Sequence, residues 1–536
     1  MLSKKVDEVL KPMYRKRVPN IALKAANILL SILPPILTGM LIDNLQEYSG
    51  DRALYYIGII AAILVVYFFL DWMQDYYWHK MEFIGMGLVR SHIFSNVMRK
   101  DYFFYRDHGV GDIESKVIHD AGIYARSKLS MVPLLVLNIM HIAVVVAILF
   151  YHNMTMAFST LTFSAVFYLI YKLINKKLRK TSLEEREGYS AMLTSANEIL
   201  SGATTIQLYG EESYFARRFK KTVDRYELLL VGFRKYNGLA HAATNKIVSF
   251  MPLAAALVGL NLYLQGGISI GIIVQIYLLL PFLAEPIKAL TEYNIDSQNA
   301  AVVEARLEEL LTEKPEKDDS LIKIDKIHSL EFSNICYKYA NGTEVLWDVN
   351  FSVRAGDALA VTGPSGTGKT TFLRMLKRQM HPTWGDILIN GKKCCEVHER
   401  SYLKRIAVLT QEVFVFDDCI KHNIMFGKDI SDEVVAEKAR LSALGHIDLA
   451  KNAKDLSAGE RQRMGLARAL ACQYDILILD EPTSEVDAET ETQIIENLKA
   501  IQQETGCIFI IVTHSENVLN NLCNKTLELN FPPSRE

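Results

Sequence analysis

Between Gly363 and Thr370 the chain reads GPSGTGKT, and these residue types at this spacing make a phosphate cradle. Glycine at Gly363, Gly366 and Gly368 lets the backbone turn tightly, so that N–H groups from about Ser365 to Thr371 curl around β- and γ-phosphates at a helix start. Lys369 adds a point charge and the Thr370 hydroxyl reaches Mg²⁺. The apolar run DALAVTG before the motif and the helical TTFLRMLKRQM after it supply the strand and helix such a loop requires. A second apolar run, ILILDEP, ends in Asp480 and Glu481. A carboxylate at a strand end can hold the metal shell while its neighbour polarises an attacking water.

What must position these groups is an α/β domain, and the rest of the chain has a different character. Half of the 536 residues are hydrophobic, 22% are charged, and the mean hydropathy is +0.11. That excludes a disordered or collagen-like chain and points to membrane spans. Lys and Arg (59) nearly balance Asp and Glu (61), so no global basic field recommends nucleic acid as a partner. Six apolar segments are read near 19–42, 54–76, 130–150, 154–174, 246–264 and 268–290, each close to the roughly 20 residues that cross a bilayer. Proline interrupts several, at Pro34, Pro35, Pro133, Pro252, Pro281 and Pro286, so kinked helices around a cavity are expected.

Lys and Arg crowd the leading segment and the second and fourth connections, whereas the other connections offer only Arg52. By the positive-inside rule the N-terminus is cytoplasmic. The two long cytoplasmic connections have helical apolar spacing with charged faces, so the spans are expected to continue into the cytosol. No cleavable signal is visible, and the first span serves for insertion. The domain reading is 1–17, a cytoplasmic or interfacial segment; 18–311, six spans with helical extensions; 312–320, the polar linker TEKPEKDDS; and 321–536, an α/β domain whose runs DALAVTG, DILILDEPT and CIFIIVTH are buried strands.

All seven cysteines lie at or after Cys336, which rules out a disulfide framework or a cysteine-protease module in the first half. Adjacent Cys394 and Cys395 lack C-x-x-C spacing, so plain thiols in a reducing cytosol are expected.

With DLSAGERQRMGLARAL before ILILDEP, SEVD after it and IIVTHS further on, the second half resembles the ABC transporter ATPase domain. The first half resembles the membrane domain of the six-helix (type IV) ABC exporters, through RSHIFSNVMRKDYFFYRDHGVGDIESKVIHD and GISIGIIVQIYLLLPFLAEPIKAL. The fold expected is therefore an α-helical six-span membrane domain followed by a cytosolic α/β P-loop ABC ATPase domain.

The resemblance implies roles residue by residue. Tyr339 would stack on adenine, Gln411 would sense metal and attacking water, and His514 would hold the γ-phosphate. Mg²⁺ would be held by Thr370, Gln411 and Asp480, with Glu481 catalytic. Ser457 and Gly459 would face the γ-phosphate bound by a second subunit, and Asp487 would lie at the dimer seam. Gly111 and Asp112, with Glu211 and Glu212 of YGEES, would couple the spans to the ATPase domains.

Two departures stand out. LSAGE replaces the usual LSGGQ, so Ala458 adds a methyl and Glu460 a charge. A like-charge contact at 4 Å costs roughly 4 kcal/mol at an effective dielectric of about 20, so Glu460 is expected to point away from phosphate. The segment DLAKNAKDLSAGE also lacks the acidic, glycine-containing stretch that in exporters meets the coupling helices.

The function these expectations compose is an ATP-driven ABC exporter half. It would work as a homodimer or heterodimer in the cell membrane, moving an amphipathic peptide, lipid or drug-like substrate out of the cytoplasm with ATP and Mg²⁺. The alternatives are a subunit of a heterodimeric thiol- or haem-linked exporter, with His79 and His141 as haem contacts, and a non-transport ABC ATPase, which the spans argue against. Asp71 on the second span and Glu285 on the sixth fall about 26 Å from the outer face, and with Asp75 would give an inward cavity an acidic rim favouring cationic or zwitterionic cargo. Lys288, three residues from Glu285, is the competing partner.

Overall fold

The computed structural model describes residues 2–44, 50–100, 102–311, 321–339 and 342–531; the linker 312–320 and the side chain of Glu285 lie outside the described residues. The chain forms two compact units, one of Met1–Arg99 with His108–Thr312 and one of Lys100–Asp107 with Glu313–Glu536.

The first unit is helical throughout. Its long helices are α1 (Leu2–Asp43), α2 (Gly50–Val97), α3 (Val110–His152), α4 (Met154–Ser201), α5 (Glu212–Leu264), α6 (Ile270–Leu279) and α7 (Ala284–Leu311). The segment 1–17, read separately from the first span, is continuous with it in α1. Among the described residues four helical stretches are long and apolar enough to cross a bilayer: Asp7–Asp43, Ala53–Val97, Val110–His152 and Ile270–Leu290. The shorter apolar helices Met154–Phe163 and Ser249–Leu264 fall at the expected fourth and fifth spans. Leu64, Val65, Phe68, Phe69 and Trp72 of α2 are exposed, as a lipid-facing surface requires. Ile28 of α1, Leu137, Val145 and Leu149 of α3, Met156 of α4, Met251 of α5 and Ile276 of α6 pack in one core.

Helices α1 and α5 run on through Pro12, Pro19, Pro34, Pro35 and Pro252, whereas two other prolines stand at irregular turns. A π-turn at Ser127–Met131 precedes Pro133, and a 3₁₀ turn at Leu280–Leu283 contains Pro281 and divides α6 from α7. The backbones of α1 and α6 meet at Gly39 and Gly271, where a Cβ on either residue would collide with the other's carbonyl. Beside that crossing the Asp43 carboxylate accepts from Ser269 Oγ (2.5 Å) and from the Gly271 N–H (2.7 Å), capping the first turn of α6.

The second unit contains two sheets. Strands β1 (Ser329–Lys338), β2 (Glu344–Arg354), β4 (Trp384–Ile389) and β5 (Lys392–Lys393) form an antiparallel sheet in the order β2-β1-β4-β5. Strands β3 (Ala358–Thr362), β6 (Ile406–Leu409), β7 (Ile476–Asp480), β8 (Ile508–Val512) and β9 (Lys525–Glu528) form a parallel sheet in the order β6-β7-β8-β3-β9. The three runs expected as buried strands are β3, β7 and β8, adjacent in that sheet and covered on both faces. Phe332 of β1, Phe351 of β2 and Phe372 of the helix Lys369–Leu376 join the antiparallel sheet to that helix through ring centroids 4.5 to 5.4 Å apart, each pair worth about 0.5 to 1.5 kcal/mol beyond its buried area.

Candidate active site

Parallel strands all present their C-terminal ends at one edge, and the sheet order sets which loops meet there. The phosphate loop follows β3 and opens helix α8 (Lys369–Leu376). Gly363 (φ +142°) and Gly368 (φ +96°) hold its turns, and at Gly368 a Cβ would also strike Val345 and Leu346, so glycine is required twice over. Thr367 Oγ donates to the Pro364 carbonyl at 2.9 Å, bracing the loop from inside. Lys369 Nζ donates to the Gly363 carbonyl (2.5 Å) and lies 3.3 Å from His514 Nε2, which follows β8. Ser365, Gly366 and Thr370 are exposed, whereas Thr371 is buried with its hydroxyl 2.9 Å from that of Tyr339. Tyr339 thus sits over the start of α8, its ring edge-on to Tyr337.

Asp480 and Glu481 end β7. Burial raises the Asp480 carboxyl above the ordinary carboxylate range, while Lys377 and Lys369 pull it down. Lys377 is itself lowered by burial. Glu481 takes a left-handed backbone (φ +51°), fixed by its N–H donating to the Val512 carbonyl at 2.8 Å. Gln462 clamps the Glu481 carbonyl through its side-chain amide, and Ser484 Oγ donates to the same carbonyl at 3.2 Å. The Glu481 carboxylate accepts from Gln411 Nε2 at 3.3 Å. A hydroxyl at Thr370, an amide oxygen at Gln411 and a carboxylate at Asp480 are a hard oxygen set that suits Mg²⁺.

The signature helix α9 (Ala458–Leu470) starts at Ser457 with a capping box. Glu460, expected to turn away, folds back onto Ser457, because the open N–H groups and positive end of the helix attract a carboxylate. The Ser457 N–H and hydroxyl hold the Glu460 carboxyl below the ordinary range. Ala458 is exposed, and Gly459 has no room for a Cβ, which would meet the Glu485 carbonyl. Asp487 caps the helix Ala488–Thr505, accepting from the Thr490 N–H (3.0 Å) and hydroxyl (2.8 Å).

Gly111 and Asp112 lie near the start of α3 in the helical unit, where Asp112 pairs with Lys116 (2.8 Å) and Arg306 (3.6 Å). Glu211 precedes α5 and Glu212 opens it. Sequence reasoning missed a neighbouring segment: Lys100–Asp107 folds as part of the α/β unit, with Phe103 stacked on His381 (centroids 6.5 Å apart) and Arg374 over the Tyr102 ring (5.9 Å). The aromatic run YFFYRD was the available signal. Gln462 was likewise missed, although it stands two residues after the quoted LSAGE. Of the expected cavity carboxylates, Asp71 accepts from Asn27 Nδ2 (2.7 Å) and Asp75 pairs with His79 (3.2 Å).

A model of the ABC transporter transmembrane region matches residues 20–287 and a model described as ABC transporter matches residues 346–484. The chain belongs to the ABC transporter family. Among its relatives, an ATP-dependent lipid A-core flippase of Desulfotalea psychrophila is 26% identical, covering 96% of this chain and 93% of the relative. The multidrug resistance-like ATP-binding protein MdlA of Buchnera aphidicola is 25% identical over 93% of this chain and 88% of its own length. Among solved structures, a bacterial Atm1-family ABC exporter with ATP bound superimposes with a TM-score of 0.81 at 20% identity, covering 98% of this chain and 94% of that one.

This ABC transporter is a half-transporter of the type IV exporter fold, a helical transmembrane domain followed by an ABC ATPase domain. It binds ATP, and its hydrolysis is coupled to transport across the membrane. These relatives do not favour the thiol- or haem-linked alternative.

Proposed function

We propose that two such halves bury two ATP molecules with Mg²⁺ between their ATPase domains, and that this closure drives an amphipathic, lipid-like molecule out of the cytoplasm. The carrying observation is the convergence of Lys369 with His514 and of Gln411 with Glu481 along the edge of one parallel sheet. That edge offers a cradle, a base and a sensor. The chain has one phosphate loop and one signature, and a second copy or a related half supplies the signature that completes each site.

Thr370, Gln411 and Asp480 hold the metal, which neutralises phosphate charge when bound. Tyr339 carries the adenine, and Asp487 stands at the seam. The Lys and Arg distribution supports a cytoplasmic N-terminus and ATPase domain. The Tyr102–Asp107 segment supports a coupling path through Tyr102 and Phe103, to which Gly111, Asp112, Glu211 and Glu212 of the helical unit contribute. The names of the flippase and multidrug relatives support a lipid or amphiphile as cargo. The test is ATPase stimulation in nanodiscs by a panel of lipids, amphiphiles and peptides, with transport followed in proteoliposomes. Stimulation and vectorial movement of one amphiphile class support the reading; an ATPase indifferent to every class, with no transport, overturns it.

A further inference from the structure

Between the Gln411 segment and the signature lies a group of side chains that the nucleotide chemistry leaves unused. Asp418, Cys419 and His422 follow one another as D-C-x-x-H. One donor atom from each, a carboxylate oxygen, Sγ and a ring nitrogen, lies within 4.8 Å of the other two. Asp418 Oδ1 is 3.0 Å from His422 Nδ1 and accepts from the Cys419 N–H at 2.7 Å, and the His422 N–H is directed at Cys419 Sγ (3.5 Å).

The backbone beneath is tied down. Cys419 bridges Asn452, the Ile420 N–H donates to the Lys451 carbonyl (2.9 Å), and the Ala453 N–H donates to the Asp418 carbonyl (2.9 Å). Buried Asn423 donates to the carbonyls of Phe416 and Asp418. Cys419 is half-buried whereas Asp418 and His422 are exposed, so the donors converge on a point open to water.

We propose that Asp418, Cys419 and His422 form a site for a thiophilic divalent transition metal of the Zn²⁺ class. A thiolate, an imidazole and a carboxylate are the ligand types such an ion takes, and three protein ligands leave a fourth position for water. Mg²⁺ does not select a thiol. Around an ion held at about 2.0 to 2.3 Å the donors stand roughly 3 to 4 Å apart, a contraction that side-chain rotation supplies. On binding, the Cys419 thiol releases its proton to solvent, and the proton between His422 Nδ1 and Asp418 leaves or moves to Nε2; nothing is oxidised or reduced. The neighbouring Asp417 is engaged by Lys454 (2.8 Å) and Asn452 (2.9 Å) and is not needed as a ligand. Because Asn452 and the 3₁₀ turn Ala453–Asp455 lead directly into Ser457, an ion here stiffens the segment that enters the signature helix and slows turnover.

The test uses the full chain in detergent, without a polyhistidine tag, titrated with Co²⁺ and then Zn²⁺. The expected result is a near-ultraviolet thiolate-to-cobalt band that saturates at about one equivalent and is removed by Zn²⁺. Cys419→Ser abolishes the band, His422→Ala weakens binding by about tenfold or more, and Cys394→Ser with Cys395→Ser leaves it intact. Fluorescent-nucleotide binding by each variant establishes that it is folded. Should a variant fail to fold, alkylation of the parent read by mass spectrometry serves instead, with Cys419 protected by Zn²⁺. A band that survives Cys419→Ser, no saturable Co²⁺ binding in the parent, or a Cys419 left unprotected overturns the proposal.

Discussion

Glu460 Oε2 accepts both the N–H and the hydroxyl of Ser457, each at 2.7 Å, so the N-cap residue of the signature helix is locked by the helix's third residue. The hydroxyl proposed to meet a partner-bound γ-phosphate is therefore already donating to a carboxylate on its own helix. Glu460→Gln keeps the capping geometry and removes the charge. Relief of repulsion on the order of 1 kcal/mol predicts a lower apparent KM for ATP by roughly fivefold. Glu460→Ala loses half of the capping box and should cost about 0.5 to 2 kcal/mol of stability, read as a lower Tm of the ATPase domain. An unchanged KM in Glu460→Gln shows that the carboxylate swings clear when ATP binds.

Glu481→Gln should retain ATP and lose turnover by about 10² to 10⁴, because the water loses its base while the cradle around Lys369 is untouched. The Gln411 amide keeps an oxygen to donate to in this variant. Lys369→Ala acts earlier, weakening nucleotide binding itself. Equilibrium nucleotide binding and steady-state hydrolysis separate the two, and wild-type hydrolysis by Glu481→Gln would assign the base elsewhere.

Tyr339 contributes a ring and a hydroxyl, and these are separable. Tyr339→Phe removes only the contact with the Thr371 hydroxyl and should leave ATP affinity within about twofold to fivefold, the worth of one ordinary hydrogen bond. Tyr339→Ala should weaken binding by about 1 to 3 kcal/mol if the ring stacks on the base. Equal losses in both variants exclude stacking.

Phe103→Ala should leave basal hydrolysis in place and abolish its stimulation by cargo, since it removes the ring stacked on His381 without touching the nucleotide site. Asp112→Asn breaks partly exposed pairs with Lys116 and Arg306 and should cost no more than about 1 kcal/mol. Lys116 retains Glu309 (3.2 Å). If Asp112→Asn uncouples and Phe103→Ala does not, the coupling path runs through the Gly111–Asp112 turn instead.

The charge preference of the cargo is tested in the parent and in an Asp71→Asn, Glu285→Gln double variant with matched cationic and anionic amphiphiles. An acidic cavity rim predicts stronger ATPase stimulation by the cation in the parent and loss of that preference in the variant. Equal responses in the parent dismiss the rim.

By itself the sequence determined what is written in contiguous residues. GPSGTGKT, ILILDEP and the long apolar runs are local patterns, and a loop, a buried strand or a membrane span follows from each because its cause lies within a few turns of chain. The tertiary structure decided which of these meet. Gln411, Glu481, His514 and Lys369 follow β6, β7, β8 and β3, which are far apart in sequence but consecutive in the sheet. Strand order, set by burial of continuous apolar strands on both faces, therefore assembled the site. The same holds where the sequence pattern was silent: the aromatic rings of Tyr102 and Phe103 found partners in the α/β unit, and Glu460 found the open N–H of its own helix. A side chain's nearest stabilising partner is fixed by the folded surface around it, and no spacing in the chain encodes that surface.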